Sequence, residues 1–200
     1  MDFDERVTEQ DEDKSDRFID SVLETMESMV FAVFVMLLLF SFVLKIVLVR
    51  GQSMEDSLFD GDRLIISNLF YHPQGGDVIV VNSHVLNETI VKRVIATEGQ
   101  HVEIDYKSDT VMVDGEIFDN SILNDDAIDM QINLEFNAEH YNSEKDVYEY
   151  DVPNNCVFVM GDNRNHSTDS RTIGFIDNDD ILGKVIFRVY SSTGKIGKVS

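Results

Sequence analysis

The hydrophobic pattern of the chain changes abruptly near residue 50. Before that point, Ser28–Val49 contains one charged residue, Lys45, and is apolar all round when drawn as a helix. As an α-helix, Met29–Val49 would extend roughly 31 Å at about 1.5 Å per residue, which spans the hydrocarbon core of a bilayer. The pattern therefore predicts a transmembrane anchor over residues 28–49, with the Lys45 ammonium reaching the interface near one end.

Two other interpretations of this run are a buried core helix and a cleaved signal peptide. The rest of the chain offers nothing to cover a helix that is apolar all round, which disfavours a core helix. A signal peptide begins with a basic region and ends at small residues. Here residues 1–27 hold eleven acidic and three basic side chains, and Val49-Arg50-Gly51-Gln52 is a poor cleavage site. We therefore expect a retained anchor behind an acidic tail at 1–27.

Short β-rich runs separated by turn residues follow the anchor. Turn signals include Asp60-Gly61-Asp62, Gln74-Gly75-Gly76 and Asp114-Gly115. The runs predicted as strands are 63–66, 77–81, 89–95, 101–104, 110–113, 157–160 and 184–190. Because no comparable helical periodicity appears, we predict a mainly β domain at 50–200, a curled antiparallel sheet or barrel-like fold behind one N-terminal transmembrane helix.

The charge and the cysteine content of the chain argue against several classes of partner and site. The chain has 16 Lys and Arg against 38 Asp and Glu, a net charge of −22, which argues against a nucleic-acid backbone as the partner. The single cysteine excludes an intramolecular disulfide and a cysteine-built zinc site. The segment at about 114–152 is strongly acidic, and we interpret it as a solvated insertion. A calcium site there is a weaker alternative, because the EF-hand pattern is absent.

Three polar segments contain side chains of the types that act in catalysis. Ser53 lies four residues beyond the predicted anchor, although a lone serine there is ordinarily a polar interface residue. Lys92 shares a strand face with Ile90 and Val94, where a cation can deter edge pairing or, once desolvated, lose its proton and act as a base. The third segment, Gly161–Arg171, combines carboxylate, hydroxyl and guanidinium groups, which suits either a polar turn or support of a catalytic amine.

Other nucleophile arrangements have less support in the sequence. Of the five histidines, only His166 lies in a dense polar motif, and spacing alone does not assemble a Ser–His–Asp set. The residues around Ser53 lack the second glycine of a nucleophile elbow. We interpret Cys156 as a small apolar filler.

The three segments, in this order behind a membrane anchor, resemble the type I signal peptidases, the serine–lysine protease family, in its single-span Gram-positive form. The resemblance covers the anchor and most of the region after it. The Gly161–Arg171 box matches the family pattern G-D-N-R-x-x-S-x-D-S-R at every fixed position. The other matching motifs are Gly51-Gln52-Ser53-Met54 with Leu58 and Gly61-Asp62, then Gly76-Asp77-Val78-Ile79-Val80, then Lys92-Arg93-Val94.

The resemblance implies a role for each matching residue. Ser53 would be the nucleophile and Lys92 its general base. Ser167 corresponds to the hydroxyl that hydrogen-bonds the lysine, and Asp169 and Arg171 correspond to the ionic pair that fixes this turn. The family chemistry requires neither a metal nor another cofactor, so none is expected.

The resemblance also assigns the surroundings of the nucleophile. Met54, Leu58 and Val91 would contribute to the pockets that accept small substrate residues. Gly51 supplies no side-chain hydroxyl, so the oxyanion hole would depend mainly on the Ser53 amide.

Some positions depart from the family pattern. Asp56 and Ser57 stand where members usually carry proline and threonine, and Ala96–Gln100 replaces the usual glycine-leucine-proline-glycine-aspartate. The missing proline removes a fixed φ beside the nucleophile, and a carboxylate close to Lys92 would favour the protonated amine. These departures motivate one alternative function, a catalytically idle, membrane-tethered binding protein of the same fold.

The function implied by the resemblance is a membrane-bound serine endopeptidase that cleaves N-terminal signal peptides from exported preproteins by a Ser–Lys dyad. Its partners would be those preproteins and the lipid bilayer, with no nucleic acid. The N-terminus would be cytoplasmic and the catalytic domain would lie on the outer face of the cell membrane. A self-cleaving repressor is a further alternative, which the membrane span and the absence of a DNA-binding segment disfavour.

Overall fold

The computed structural model describes residues 3–55, 57–108, 110–118 and 137–199, which belong to two compact units, Met1–Val43 and Leu44–Ser200. The described strands are β1 (Leu44–Leu48), β2 (Arg63–Ser67), β3 (Val78–Ser83), β4 (Glu88–Thr97), β5 (His101–Asp105), β6 (Thr110–Val113), β7 (Glu116–Ile117), β8 (Tyr141–Asn142), β9 (Val147–Asp151), β10 (Cys156–Met160), β11 (Ile176–Asp177) and β12 (Ile181–Tyr190). The helices are α1 (Phe3–Val43) and α2 (Ser170–Ile173), with 3₁₀ turns η1 (Arg164–His166) and η2 (Asn178–Asp180).

The first unit is the single long helix α1. Within it, Ile19–Leu38 is long and apolar enough to cross a membrane, and large apolar side chains such as Met29 and Phe34 are exposed. One N-terminal helix with the length and composition of a membrane span is therefore confirmed.

The predicted end of that helix at Val49 is wrong. The helix ends at Val43, and Leu44–Leu48 forms β1, which pairs antiparallel with β2. This run is apolar and β-branched enough to suit either a helix or a strand, and its pairing with β2 satisfies the backbone as a ladder. Val49, 3% exposed, already packs in the core of the second unit.

The second unit is built on two antiparallel sheets, as the mainly β prediction requires. The larger sheet has seven strands in the order β1-β2-β12-β3-β4-β10-β11, and the smaller has five in the order β7-β6-β5-β9-β8. Within the described residues neither sheet closes on itself, so the barrel-like description holds only loosely. Apolar residues of β4 and β10 pack with residues of β5, β6 and β9 to form a core shared by both sheets.

The acidic segment predicted as an insertion at about 114–152 contributes to this core. Residues 119–136 of it lie outside the described residues, but Val147–Asp151 is strand β9 and pairs with β5. Tyr150 is fully buried and Val152 is 4% exposed. The solvated-insertion interpretation is therefore wrong for 147–152, because apolar side chains that point inward outweigh the surrounding charge.

Candidate active site

The Ser53 loop, defined as residues 51–62, is fixed to the core on both sides of the serine. It closes where the Val49 amide donates to the Asp62 carbonyl at 2.8 Å and the Gly61 amide donates to the Val49 carbonyl at 3.0 Å. Met54 and Leu58 are 1% and 0% exposed. These contacts hold Ser53 on a turn whose apolar neighbours are anchored, which limits its freedom to move.

Met54 and Leu58 do not line the cleft as predicted. Both lie in an apolar cluster that also contains Val91 and Val80, and Val91 alone of the three predicted pocket residues borders the cleft. The Leu58 amide donates to the Met54 carbonyl at 2.7 Å, which turns both side chains inward together. Both side chains therefore support the Ser53 loop by packing in the core.

A buried ion pair joins the Ser53 loop to β12. Arg188 Nη1 lies 3.1 Å from Asp62 Oδ2 and also donates to the Ser57 carbonyl at 2.9 Å. The same carboxylate oxygen accepts from the Phe59 amide at 3.1 Å. The family-like Gly61-Asp62 motif therefore has a structural role here. Of the two departures in this loop, Ser57 is the residue whose carbonyl accepts from Arg188, and Asp56 lies outside the described residues.

Lys92 is a buried amine in the middle of β4. Its residue is 3% exposed, and it makes no ion pair within the described part of the chain. Burial lowers the pKa of Lys92 below its usual range; Asp169 opposes this shift and Arg171 reinforces it. A lysine in such surroundings is more readily uncharged, which is the form that accepts a proton.

The neighbouring cation, Arg93, forms a buried ion pair with Asp162. Its Nε and Nη2 bind the two oxygens of Asp162, each at 2.7 Å, and its Nη1 donates to the Gly76 carbonyl at 2.7 Å. The bidentate geometry suits a permanently charged guanidinium. The two buried cations of β4 therefore differ: Arg93 forms an ion pair with Asp162, whereas Lys92 is bound to no carboxylate of the described residues.

The Gly161–Arg171 box brings the Ser53 loop and β4 together. β10 pairs with β4 through Met160 and Arg93, so the next residue, Gly161, continues toward Lys92. The Asn163 amide donates to the Ser53 carbonyl at 3.1 Å. A Cβ at Gly161 would overlap that same carbonyl oxygen and Ser167 Oγ. Gly161 is thus the point at which the three segments converge.

Asp169 and Arg171 form the ion pair that the sequence suggested. Arg171 Nε and Nη2 each lie 2.8 Å from an oxygen of Asp169, which also accepts from the Gly161 amide at 2.9 Å. Burial alone would raise the pKa of Asp169, but the Arg171 guanidinium lowers it to about 2. The pair therefore stays ionised and fixes the turn around Gly161.

Ser167 is buried beside Gly161 at 2% exposure. Its Oγ has no hydrogen-bond partner among the described residues, so the expected bond to Lys92 is not formed in this structure. A buried hydroxyl with no partner is available to a group that enters or turns toward it.

Ser53 and Lys92 line one cleft of about 720 Å³, together with Gly51, His166 and Thr168. Its remaining lining includes β1 residues Ile46, Val47 and Leu48 and β4 residues Glu88, Thr89, Ile90 and Val91. Sequence reasoning missed the β1 wall, because those residues were assigned to the anchor. It also missed Arg50, Glu88 and the position of His166, whose Nδ1 lies 3.2 Å from Asn163 Oδ1 rather than against a carboxylate.

One group outside the cleft has ligand atoms spaced for a metal ion. Atoms of His101, Glu103 and Glu149 lie within 4.8 Å of one another on β5 and β9. Lys145 Nζ already binds both carboxylates, at 3.3 Å from Glu103 and 2.6 Å from Glu149. The Lys145 ammonium therefore already balances the negative charge of these two carboxylates.

We expect Gly161→Ala to reduce the activity of the Ser53–Lys92 site by about 10²-fold and to destabilise the fold by about 1–3 kcal/mol, because the added methyl displaces Ser53 and Ser167. Gly75→Ala is the matched control, since its Cβ would meet nothing closer than the Ile95 carbonyl at 3.5 Å. Steady-state kinetics and thermal melting measure both effects. Equal behaviour of the two variants would contradict the convergence at Gly161.

Sequence comparisons relate this architecture to known proteins. The family model described as "Signal peptidase, peptidase S26" matches residues 22–190. "Signal peptidase IB" of Staphylococcus aureus (strain COL) is 34% identical over 185 residues, which cover 84% of this chain and 90% of that protein. "Probable signal peptidase I-1" of Synechocystis sp. is 32% identical over 189 residues, which cover 88% of this chain and 87% of that protein.

Among solved structures, a crystal structure of a signal peptidase I from Enterococcus faecalis V583 aligns with a TM-score of 0.42 at 24% identity, over 57% of this chain and 97% of that one. The family match at residues 22–190 includes the Ser53 loop, β4 and the Gly161–Arg171 box. On this match and the two sequence relatives, the chain belongs to the signal peptidase family, peptidase S26.

Proposed function

We propose that this chain is a membrane-bound serine endopeptidase that removes N-terminal signal peptides from exported preproteins, with Ser53 as nucleophile and Lys92 as general base. The observation that carries the proposal is that both residues line one cleft while Lys92 is buried without an ion pair to any described residue. Membership of a signal peptidase family and the names of the curated relatives support the reaction and the substrate class.

The dyad performs acyl transfer with two groups. Neutral Lys92 Nζ takes the proton from Ser53 Oγ as that oxygen attacks the scissile carbonyl, and the resulting ammonium then protonates the leaving amine. Water next attacks the acyl ester while the same amine accepts its proton. The ester bond to Ser53 Oγ then breaks, and the proton passes from Lys92 to that oxygen, which restores the serine. A protonated Lys92 cannot begin the cycle, so the burial that lowers its pKa serves the chemistry directly.

The oxyanion of the tetrahedral intermediate needs donors that are not already in use. The Ser53 amide makes no hydrogen bond within the described part of the chain, so its N–H is free to donate. The Gly51 amide, in contrast, donates to Asp60 Oδ1 at 2.8 Å. This supports the Ser53 amide as the main backbone donor of the oxyanion hole.

The walls of the cleft suit an extended peptide. Among the described strands, β1 is an edge of the larger sheet, and β4 pairs with β10 only from Arg93 onward, so no described strand pairs with Glu88–Lys92 on that side. Both free edges border the cleft. A substrate strand can hydrogen-bond to such edges through its backbone, which allows many sequences to bind.

The helix α1 supplies the membrane part of the proposal. Ile19–Leu38 has the length and composition of a membrane span. We place its N-terminus in the cytoplasm and the second unit on the outer face, in agreement with the family resemblance. Tethering would confine enzyme and membrane-embedded signal peptide to the same surface and so raise their rate of encounter.

Purified full-length protein in detergent or vesicles, mixed with a signal-bearing precursor, tests the proposal. Release of the mature protein from the wild type, and not from a Ser53→Ala variant, supports the enzyme. Binding of the precursor without turnover by the wild type would instead establish the idle binding protein.

The proposed base also sets the pH dependence. Since only neutral Lys92 accepts a proton, kcat/KM should rise with pH and reach its plateau below the ordinary lysine range, because burial lowers the pKa of Lys92. A profile from pH 5 to 10 on a peptide substrate measures this limb. A rate that is flat across that range would remove Lys92 from the mechanism.

A further inference from the structure

Two charged side chains that border the cleft have no partner of their own. Arg50 and Glu88 are exposed, and no side-chain hydrogen bond or ion pair joins either of them to another residue in the described ranges. Arg50 lies in the segment that enters the Ser53 loop, and Glu88 begins β4. Their charges are therefore free to interact with a bound ligand.

Glu88 has a defined position relative to the proposed base. It precedes Lys92 by four residues on β4, so strand alternation places Glu88, Ile90 and Lys92 on the same face. At about 3.3 Å per residue, Glu88 lies roughly 13 Å from Lys92 along the strand. Burial lowers the pKa of Lys92, and Glu88 is among the charges that oppose this shift, in agreement with a shared face.

Between these residues, the edge of β4 that faces away from β3 has no pairing partner in the described part of the chain. Because β10 pairs with β4 only from Arg93 onward, an extended peptide can lie beside Glu88–Lys92. A peptide strand beside β4 has the same rise per residue as β4. If the scissile carbonyl of the peptide lies next to Ser53 and Lys92, the peptide residue next to Glu88 is therefore about four residues from the scissile bond.

We propose that Glu88 selects substrates that carry lysine or arginine about four residues from the scissile bond. The inference rests on the proposed function and adds a charge preference to it. Glu88 is an exposed carboxylate, so solvent and salt screen its attraction for a substrate cation and its repulsion of a substrate anion, and both effects are modest. A substrate lysine compared with a substrate glutamate should then differ about two- to thirtyfold in kcat/KM.

The experiment uses full-length protein and a peptide series with one cleavage site. Lysine, glutamine or glutamate is placed in turn at three, four, five and eight residues from the scissile bond, on either side of it. We expect a lysine-over-glutamate preference near position four on one side and none at position eight. The preference should shrink as salt rises from 0.01 M to 1 M, where the Debye length falls from about 30 Å to about 3 Å.

Variants assign the preference to Glu88. The lysine-to-glutamate ratio within each variant should fall toward one in Glu88→Gln and invert in Glu88→Lys. Glu116→Gln is the matched control, because Glu116 is an exposed carboxylate on β7 that does not border the cleft. This control should retain the wild-type ratio.

The outcomes separate this inference from the proposed function. Ser53-dependent cleavage with no charge preference, or with a preference that survives Glu88→Gln, overturns the inference alone. Equal loss of cleavage of all peptides in Glu88→Gln overturns it too, since Glu88 would then act in the chemistry. Failure of the wild type to cleave any peptide removes the proposed function, and the inference with it.

Discussion

Replacing Ser53 by alanine should lower kcat for precursor cleavage by about 10⁴- to 10⁶-fold, while the melting temperature stays close to that of the wild type. The loss is large because the acyl ester of the proposed mechanism forms on Ser53 Oγ itself. Ser167 is buried behind Gly161, and its Oγ does not border the cleft. Single-turnover kinetics with excess enzyme, followed by gel or mass spectrometry, measures the effect without interference from product release.

Ser57→Ala is the matched control for this experiment. Ser57 lies in the same loop, and its buried Oγ has no hydrogen-bond partner among the described residues. Removal of an unsatisfied hydroxyl costs little, so this variant should keep its activity and its stability. If Ser53→Ala retains more than a few per cent of the wild-type rate, the nucleophile is a different residue.

Replacing Lys92 by methionine should abolish cleavage and at the same time raise the melting temperature. Methionine matches the length and apolar character of the lysine stem, so the packing of β4 is retained. The amine, in contrast, is buried with a pKa below its unfolded value, so at neutral pH folding must either strip its proton or bury its charge. Active-site groups commonly reduce stability in this way.

The pH dependence of the melting temperature distinguishes this explanation from general improvement of packing. With a lowered folded-state pKa, the unfolded chain binds more protons at Lys92 between the folded-state pKa and about 10.4, so the stability of the wild type rises with pH in that window. The advantage of Lys92→Met should therefore shrink as pH rises toward 10. Lys198→Met, at an exposed position, is the control and should show no such trend. A destabilised Lys92→Met would mean that the amine is well solvated or paired.

Strands made of short β-rich runs between turn residues could be predicted from the sequence, because such runs are too short and too β-branched to suggest a helix. Each of the seven predicted runs lies within or overlaps an observed strand, including 89–95 within β4 and 184–190 within β12. Their β-branched residues and flanking turn glycines leave little competition from helix. The two-residue strands β7, β8 and β11 carry too little pattern to be detected.

Elements that depend on partners distant in sequence were not predictable. β1 belongs to an apolar run that continues from the helix, and only its pairing with β2 marks the change at Leu44. β9 lies in acidic sequence, and only its register with β5 shows that Tyr150 faces the core. A hydropathy average over a segment combines these residues with neighbours of a different character, so it does not reveal the strand.

Part of the candidate site could likewise be predicted from the sequence, and part could not. Ser53, Lys92 and the Gly161–Arg171 box are recognisable from residue type and motif, because their chemistry requires those groups. Met54 and Leu58 were expected to line pockets, but the turn that joins them directs both side chains into the core. The wall supplied by β1 and the free edge of β4 depends on sheet order, which local sequence does not encode.

The protonation of one buried amine is the claim on which the mechanism depends most. An NMR titration of the full-length protein, with ¹³C label at the lysine ε-carbons, follows it directly, and the Lys92 signal is assigned by its absence from Lys92→Met. We predict a midpoint clearly below the ordinary lysine value of about 10.4, matching the rising limb of kcat/KM. A midpoint at or above that value, with the enzyme active at pH 8, would contradict the account.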